Sequence, residues 1–400
     1  MTNRIIYPRL YAMINKLIYG ARQIFDKYSL RLALLTAFLI PLKLSFAYLT
    51  LIPLTSIWLI INFKNLKSIV IKKEFAHILP LFIFIFIALY SSIFGIDIKQ
   101  SLIACLSLFF YTCTAYAVCD AAKNGNHIKV ALALLIGQTV TGFHSLLQEF
   151  IAGFENDIFL GKVSESGQIA LSIFILLGLL LTLCKSSNKL QCLFLAYLAL
   201  PLITLNLLIN MKRGPWFGVL LALCVYLSQF ARRLVPLLLL VVLGIFFLIT
   251  PLQERLLQSY EHFSISGGRK VIWEIGGELS LRYPLGIGFN NSHILRKFAT
   301  EIPPELKHFH NNYLNILVET GWLGLLAFLW WIISVLRFSW QDFPATQKIL
   351  ARALGCAIIS WQLAGLVEYN FGDSKIFLVV MIVLGLLAAI KRDLLLSAKS

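Results

Sequence analysis

Long apolar runs constrain this chain more than any other feature. A helix needs about 20 mostly apolar residues to cross the hydrocarbon core of a bilayer. Twelve runs approach or reach that length: 30–47, 48–63, 76–95, 100–119, 128–150, 166–184, 190–209, 214–231, 234–250, 311–336, 349–367 and 374–391. The first two are short and divide around Pro41 to Phe46. Of the 400 residues, 59% are hydrophobic and only 14% charged, where an average soluble chain carries about a quarter charged. One soluble core cannot bury that much apolar surface. The composition excludes a secreted soluble domain, a disordered chain and an ordinary cytosolic enzyme. It predicts an all-α polytopic membrane protein.

The net charge of +16, from 35 Lys+Arg and 19 Asp+Glu, has two readings: nucleic-acid binding or membrane topology. Position decides between them, because cytoplasmic loops collect Lys and Arg. Arg4, Arg9, Lys16, Arg22, Lys27 and Arg31 precede or open the first run; Lys64, Lys67, Lys72 and Lys73 follow the second. Lys185 and Lys189 follow the sixth, Arg232 and Arg233 the eighth, and Arg337, Lys348 and Arg352 the tenth. Lys391, Arg392 and Lys399 close the chain. Every even-numbered exit is basic, so both termini are expected in the cytoplasm. The cytoplasmic segments then carry the whole basic excess, the external ones are nearly neutral, and no nucleic-acid partner is expected.

The expected organisation is a cytoplasmic basic arm (1–29), transmembrane helices one to nine (30–250), a large helical external loop (251–310), helices ten to twelve (311–391) and a cytoplasmic tail (392–400). The arm has no cleavable signal pattern, so the first span should serve as an uncleaved insertion signal. Ile5, Ile6, Leu10, Met13, Ile14, Leu17 and Ile18 among its cations read as an amphipathic helix on anionic lipid or as a solvated arm. The seven cysteines lie in or beside apolar runs and read as buried small hydrophobes. Neither a structural disulfide nor a zinc site is expected.

Three external features depart from this pattern. Lys212 and Arg213 occupy the tight turn between the seventh and eighth runs, just before Gly214 and Pro215. Proline suits a helix start, and unpaired N–H groups there favour an anion. The alternative is a snorkelling pair without a ligand. Ser266-Gly267-Gly268-Arg269-Lys270 in the long loop combines close backbone approach with an Arg fork for two phosphate oxygens. A solvated loop arginine is the plainer reading. The glycine-rich turn Pro284-Leu285-Gly286-Ile287-Gly288-Phe289 follows a helix-like stretch from Val271 to Tyr283. The third feature is His308-Phe309-His310-Asn311-Asn312-Tyr313 at the entry to the tenth span, where a histidine could move a proton near neutral pH. Nucleotide-binding loops and paired-acid metal motifs are absent from the sequence. Charged groups are missing from the span centres, which weighs against an ion pathway.

These residues resemble the O-antigen ligase and polymerase superfamily, most closely the O-antigen ligases. His310-Asn311, nine residues, Gly321, two residues and Gly324 fit the ligase signature without a gap. Lys212-Arg213-Gly214-Pro215-Trp216, Gly268-Arg269 with Trp273, and the Pro284–Phe289 turn resemble further family segments. The Arg-x10-Gly repeats reported for some O-antigen polymerases are not visible in the external loops.

The resemblance implies a GT-C-like glycosyltransferase of the bacterial inner membrane, with about twelve transmembrane helices and its active site facing the periplasm. It implies transfer of O-antigen from undecaprenyl pyrophosphate to a lipid A-core sugar, with inversion and without cofactor, ATP or metal. By the same carry-over His310 is the general base, and Arg213 and Arg269 hold the pyrophosphate. Lys212, Lys270, Arg282, His308 and Asn311 are lesser candidates for phosphate or acceptor. The expected partners are the lipid-linked donor, the lipid A-core acceptor and membrane lipids. An O-antigen polymerase is the alternative, and a secondary transporter a distant third.

Overall fold

The computed structural model describes residues 3–150, 166–185, 188–210, 212–248, 250, 253–254, 269–293 and 307–398. Among them all regular structure is helical. The helices are α1 (Asn3–Leu42), α2 (Leu44–Asn62), α3 (Leu66–Val70), α4 (Leu79–Ile93), α5 (Ile98–Ala121), α6 (His127–Phe150) and α7 (Ser166–Leu183). Then come α8 (Lys189–Leu193), which runs through a π-helical stretch into α9 (Leu200–Ile209), and α10 (Arg213–Phe230) and α11 (Leu234–Leu248). α12 (Arg269–Arg282), α13 (Asn312–Ser339), α14 (Ala345–Ala364) and α15 (Ser374–Ser397) complete the order.

The basic arm and the first apolar run form one helix, α1. It ends just after Pro41, and the extended backbone of Lys43 separates it from α2. Among the described residues, seven helical segments are long and apolar enough to cross a membrane: Leu44–Val70, Ile98–Ala121, His127–Gln148, Ser166–Leu183, Lys189–Ile209, Asn312–Ser339 and Ser374–Ser397. Leu79–Ile93 and Leu234–Gly244 are shorter apolar helices. The chain is thus a helical, multi-pass membrane protein. The helix-like stretch from Val271 to Tyr283 is helical as α12 up to Arg282, and most of the chain before it, from Pro251, lies outside the described residues.

α15 is the most enclosed helix, with an unbroken buried run from Ile376 to Ile390. It packs on α5, while α14 packs on α7 and α10, and α13 on α4. Small residues set the closest approaches, as in membrane bundles generally. A side chain at Gly218 of α10 would run into the Ser360 carbonyl of α14. Trp58, Trp331, Trp361, Tyr116 and Phe328 are fully buried in the main core. A second, smaller core joins Ile272 and Leu279 of α12 to Ile287, Phe309 and Val318. It clamps α12 onto the histidine segment.

One expectation is corrected. Cys184 and Cys192 are bonded as a disulfide. The turn between α7 and α8 brings their Cα atoms to 6.0 Å, within bridging range. Apolar neighbours in sequence revealed burial tendency but not this turn geometry.

Candidate active site

α13 is broken at Gly321, whose φ of 71° and ψ of −176° lie outside the helical region. The break frees backbone groups that burial obliges to find partners. The turn after α12 supplies them. Ile287 N donates to Val318 O (2.9 Å), Gly288 N to Glu319 O (3.0 Å), and Trp322 N to Pro284 O (3.2 Å). Ser91 Oγ also donates to Glu319 O (2.7 Å). Gly286 has a φ of 88° and lies so close to Glu319 and Gly321 that a β-carbon would collide with both backbones. The glycine-rich turn and the helix break are therefore two halves of one joint. Inside it, the Glu319 carboxylate is 1% exposed and accepts hydrogen bonds from Ser292 N (3.1 Å) and Ser292 Oγ (2.6 Å).

The start of α13 is bolted to the turn between α14 and α15. Asn311 caps α13: its Oδ1 accepts from Tyr313 N (2.9 Å) and Leu314 N (3.0 Å). Its Nδ2 donates to Leu366 O (2.9 Å). Asn312 N donates to Gly365 O (2.7 Å). The Asn312 side chain donates to Asn370 Oδ1 (2.6 Å) and accepts from Asn370 N (2.9 Å) and Phe371 N (3.0 Å). Trp273 Nε1 of α12 donates to Phe309 O (2.9 Å), and Phe309 N donates to Asn315 Oδ1 (3.3 Å). The segment carrying both histidines is thus held from both sides.

His308 and His310 stand edge to face, with ring centroids 4.3 Å apart. His310 N donates to His308 Nδ1 (3.3 Å). His310 has a φ of 50°, a left-handed conformation that non-glycine residues seldom adopt and that recurs at functional sites. The His308 ring lies 5.3 Å from that of Tyr369. Arg269, at the start of α12, acts electrostatically on both imidazoles. Burial, then His308, then Arg269 push the His310 pKa down to about 4. Burial and Arg269 also lower that of His308. Burial draws Arg269 below the ordinary guanidinium value, and the carboxylate of Glu368 opposes that shift.

The N-terminus of α10 meets the same turn. A β-carbon at Gly214 would lie 2.9 Å from Val367 Cγ2 and 3.3 Å from Glu368 Cγ. The helix end carrying Arg213 therefore abuts the carboxylate that Arg269 senses. Trp216 Nε1 donates to Leu207 O (2.8 Å) and ties this end to α9. One short turn, from Ala364 to Phe371, thus gathers the Arg213 end of α10, Arg269, His308 and His310.

The remaining sequence-derived residues stand elsewhere or are already engaged. Lys212 is exposed. Lys270 is exposed and pairs with Glu274 at 4.0 Å. Arg282 lies over the Tyr283 ring at 5.6 Å. It is thirteen residues beyond Arg269 along α12, roughly 20 Å at 1.5 Å per residue. Asn311 spends its amide on the cap and on Leu366. Gly267 and Gly268 lie outside the described residues. Among the described residues, no group of three or more His, Cys, Asp or Glu could hold a metal ion.

Reading the sequence passed over Glu368 and Tyr369, and it gave no role to Asn312 or to the carboxylate of Glu319. Glu319 had a usable signal, since an acid inside an apolar run is a functional-site flag. Glu368 had little, because an acid at a span exit is ordinary.

No curated protein matches the chain. Residues 196–329 match the O-antigen ligase family model, a stretch that contains Arg213, Arg269 and the whole motif from His310 to Gly324.

Proposed function

We propose that the chain is an O-antigen ligase of the bacterial inner membrane, with both termini cytoplasmic and the described cluster facing the periplasm. It transfers a glycan from undecaprenyl pyrophosphate to a sugar hydroxyl of the lipid A core. The observation that carries this reading is the convergence on one turn of a sheltered histidine and two arginine-bearing helix starts.

The acceptor hydroxyl oxygen attacks the anomeric carbon, and its proton passes to the His310 imidazole. The bond from that carbon to the pyrophosphate oxygen breaks, and the pyrophosphate leaves with the electron pair. Arg213 and Arg269 stabilise the charge that collects on it, a preorganised clamp of the kind that dominates many enzymes. Attack opposite the leaving group inverts the carbon. With its pKa near 4, His310 is neutral at pH 7 and its lone pair is available. A bound pyrophosphate offsets the field of Arg269 and makes the imidazole a stronger base when the donor is in place. Proton abstraction is thereby coupled to donor binding.

The test is complementation of a ligase-deficient strain of matched core. The wild-type chain should restore O-antigen ladders on lipopolysaccharide gels, and a membrane-inserted His310→Ala variant should leave core-only lipopolysaccharide. Normal ladders from that variant would remove His310 from the chemistry. Restoration of a strain arrested at a single repeat unit would instead identify a polymerase.

A further inference from the structure

An open cavity of about 570 Å³ lies beside the histidine cluster, bounded by the N-terminal half of α5, the Phe289–Asn290 turn and the Tyr369–Phe377 segment. Of the segments singled out from the sequence, the glycine-rich turn reaches its wall through Phe289. Its volume falls within the roughly 300–1,000 Å³ typical of small-molecule sites. Asp97, Lys99, Gln100 and Asn290 supply charged and amide groups on its wall, and Tyr369 and Phe371 supply aromatic faces. Hydroxyl-binding groups together with flat apolar faces suit a sugar, which presents both polar edges and C–H faces.

Its placement relative to the cations is specific. Along the turn between α14 and α15, Val367 and Glu368 meet the Arg213 end of α10. Tyr369 comes next, its ring 5.3 Å from that of His308, and it also lines the cavity with Phe371 and Gly372. The order is cationic site, histidines, cavity. Inverting displacement requires the nucleophile to arrive opposite the leaving group, and the reacting atoms must be held in line. A pyrophosphate at the arginines puts the incoming hydroxyl on the cavity side.

We propose that this cavity is the acceptor subsite, which takes the saccharide head group of the acceptor glycolipid and presents one hydroxyl past Tyr369 to His310. This assignment rests on the transferase reading above. Gln100 and Lys99 orient the sugar, and Tyr369 is the partition between it and the donor's pyrophosphate.

The experiment uses purified full-length protein in lipid nanodiscs, with lipid-linked glycan as donor and lipid A-core as acceptor. Ala104→Trp fills the cavity from its α5 wall, and Gln100→Ala removes one polar group without adding bulk. Both should raise the acceptor KM, by about tenfold or more for the tryptophan, and leave the donor KM within about twofold. A rise confined to the donor KM, or no change in either, would overturn the assignment. If Ala104→Trp does not fold, Gln100→Ala decides alone by the same criterion. Thermal unfolding separates the two readings. Delipidated core saccharide should stabilise the wild type and not Ala104→Trp, whereas polyprenyl pyrophosphate should stabilise both. A wild type that forms no glycosidic bond counts against the transferase reading. Equal stabilisation of wild type and Ala104→Trp by the saccharide counts against the cavity alone.

Discussion

Asn312 and Asn370 hold each other through paired hydrogen bonds, Asn312 Nδ2 to Asn370 Oδ1 at 2.6 Å and Asn370 N to Asn312 Oδ1 at 2.9 Å. Both side chains are essentially inaccessible to solvent. Together they bolt the first turn of α13, just after His310, to the turn that carries Glu368 and Tyr369. Asn312→Ala strands the N–H groups of Asn370 and Phe371 and the amide of Asn370. A buried polar group left without a partner costs about 1–3 kcal/mol. Thermal unfolding in detergent should show a lowered midpoint, and ligation should fall further than the midpoint shift accounts for. An unchanged midpoint would mean that water takes over the bonds.

His310→Ala should reduce the turnover of inserted, folded protein by about 10²–10⁴-fold, the usual worth of general-base help. The donor KM should change little if the arginines hold the pyrophosphate as proposed. Single-turnover assays with lipid-linked donor measure both. A loss seen mainly in donor KM would recast His310 as a phosphate ligand.

As the proposed base, His310 must be neutral to act, so activity should be lost as pH falls through its pKa. In the free protein that value is about 4, and the acid limb of kcat/KM should lie there. The charges facing His310 are His308 and Arg269, with Glu368 acting on Arg269. Removing the cation in Arg269→Ala relieves one cause of the depression, so the acid limb should move to higher pH. Arg269→Lys keeps the charge and should keep the limb, but it should bind donor less well because the two-pronged fork is lost. A limb that stays put in Arg269→Ala would place the arginine outside the imidazole's field.

Glu368 sits beside the Arg213 end of α10 and offsets Arg269. An incoming pyrophosphate therefore competes with a carboxylate already in place. Glu368→Gln should lower the donor KM severalfold and slow product release, which titration with polyprenyl pyrophosphate would register as tighter binding. Weaker binding would instead make Glu368 a support that holds the arginines in position.

Gly321→Ala tests the joint between the broken helix and the glycine-rich turn. Alanine at a φ of 71° and ψ of −176° carries a backbone penalty on the order of 1–3 kcal/mol, and its methyl group would also meet the Pro284 carbonyl. The expected result is lowered thermal stability, and proteolysis of the Pro284–Phe289 turn at protease levels that spare the wild type.

The helical, membrane-embedded class was legible in the sequence because burial in lipid demands long apolar runs, and a run is a local property. The ligase motif was legible as spacing, His310-Asn311 to Gly321 and Gly324. Its physical content was not. Nine residues make a short helix between a left-handed histidine and a left-handed glycine, and only the docked turn at Pro284–Asn291 explains why the helix may break inside the bundle. The cations were legible as residues out of keeping with the charge bias, but sequence spacing could not sort them. Arg213 and Arg269 are 56 positions apart, yet the helix end that carries Arg213 and the field of Arg269 both reach Glu368, whereas Lys270 and Arg282 engage Glu274 and Tyr283. Glu368, Asn370, the Cys184–Cys192 bond and the cavity beside Tyr369 needed the tertiary structure. Each depends on contacts between segments whose neighbours in the chain say nothing about one another. Hydrophobicity and helix signals act within a few residues, and they determined what this chain is made of. Packing of α10, α12, α13 and the turn between α14 and α15 acts across more than 150 residues, and it decided which of the candidate residues come together.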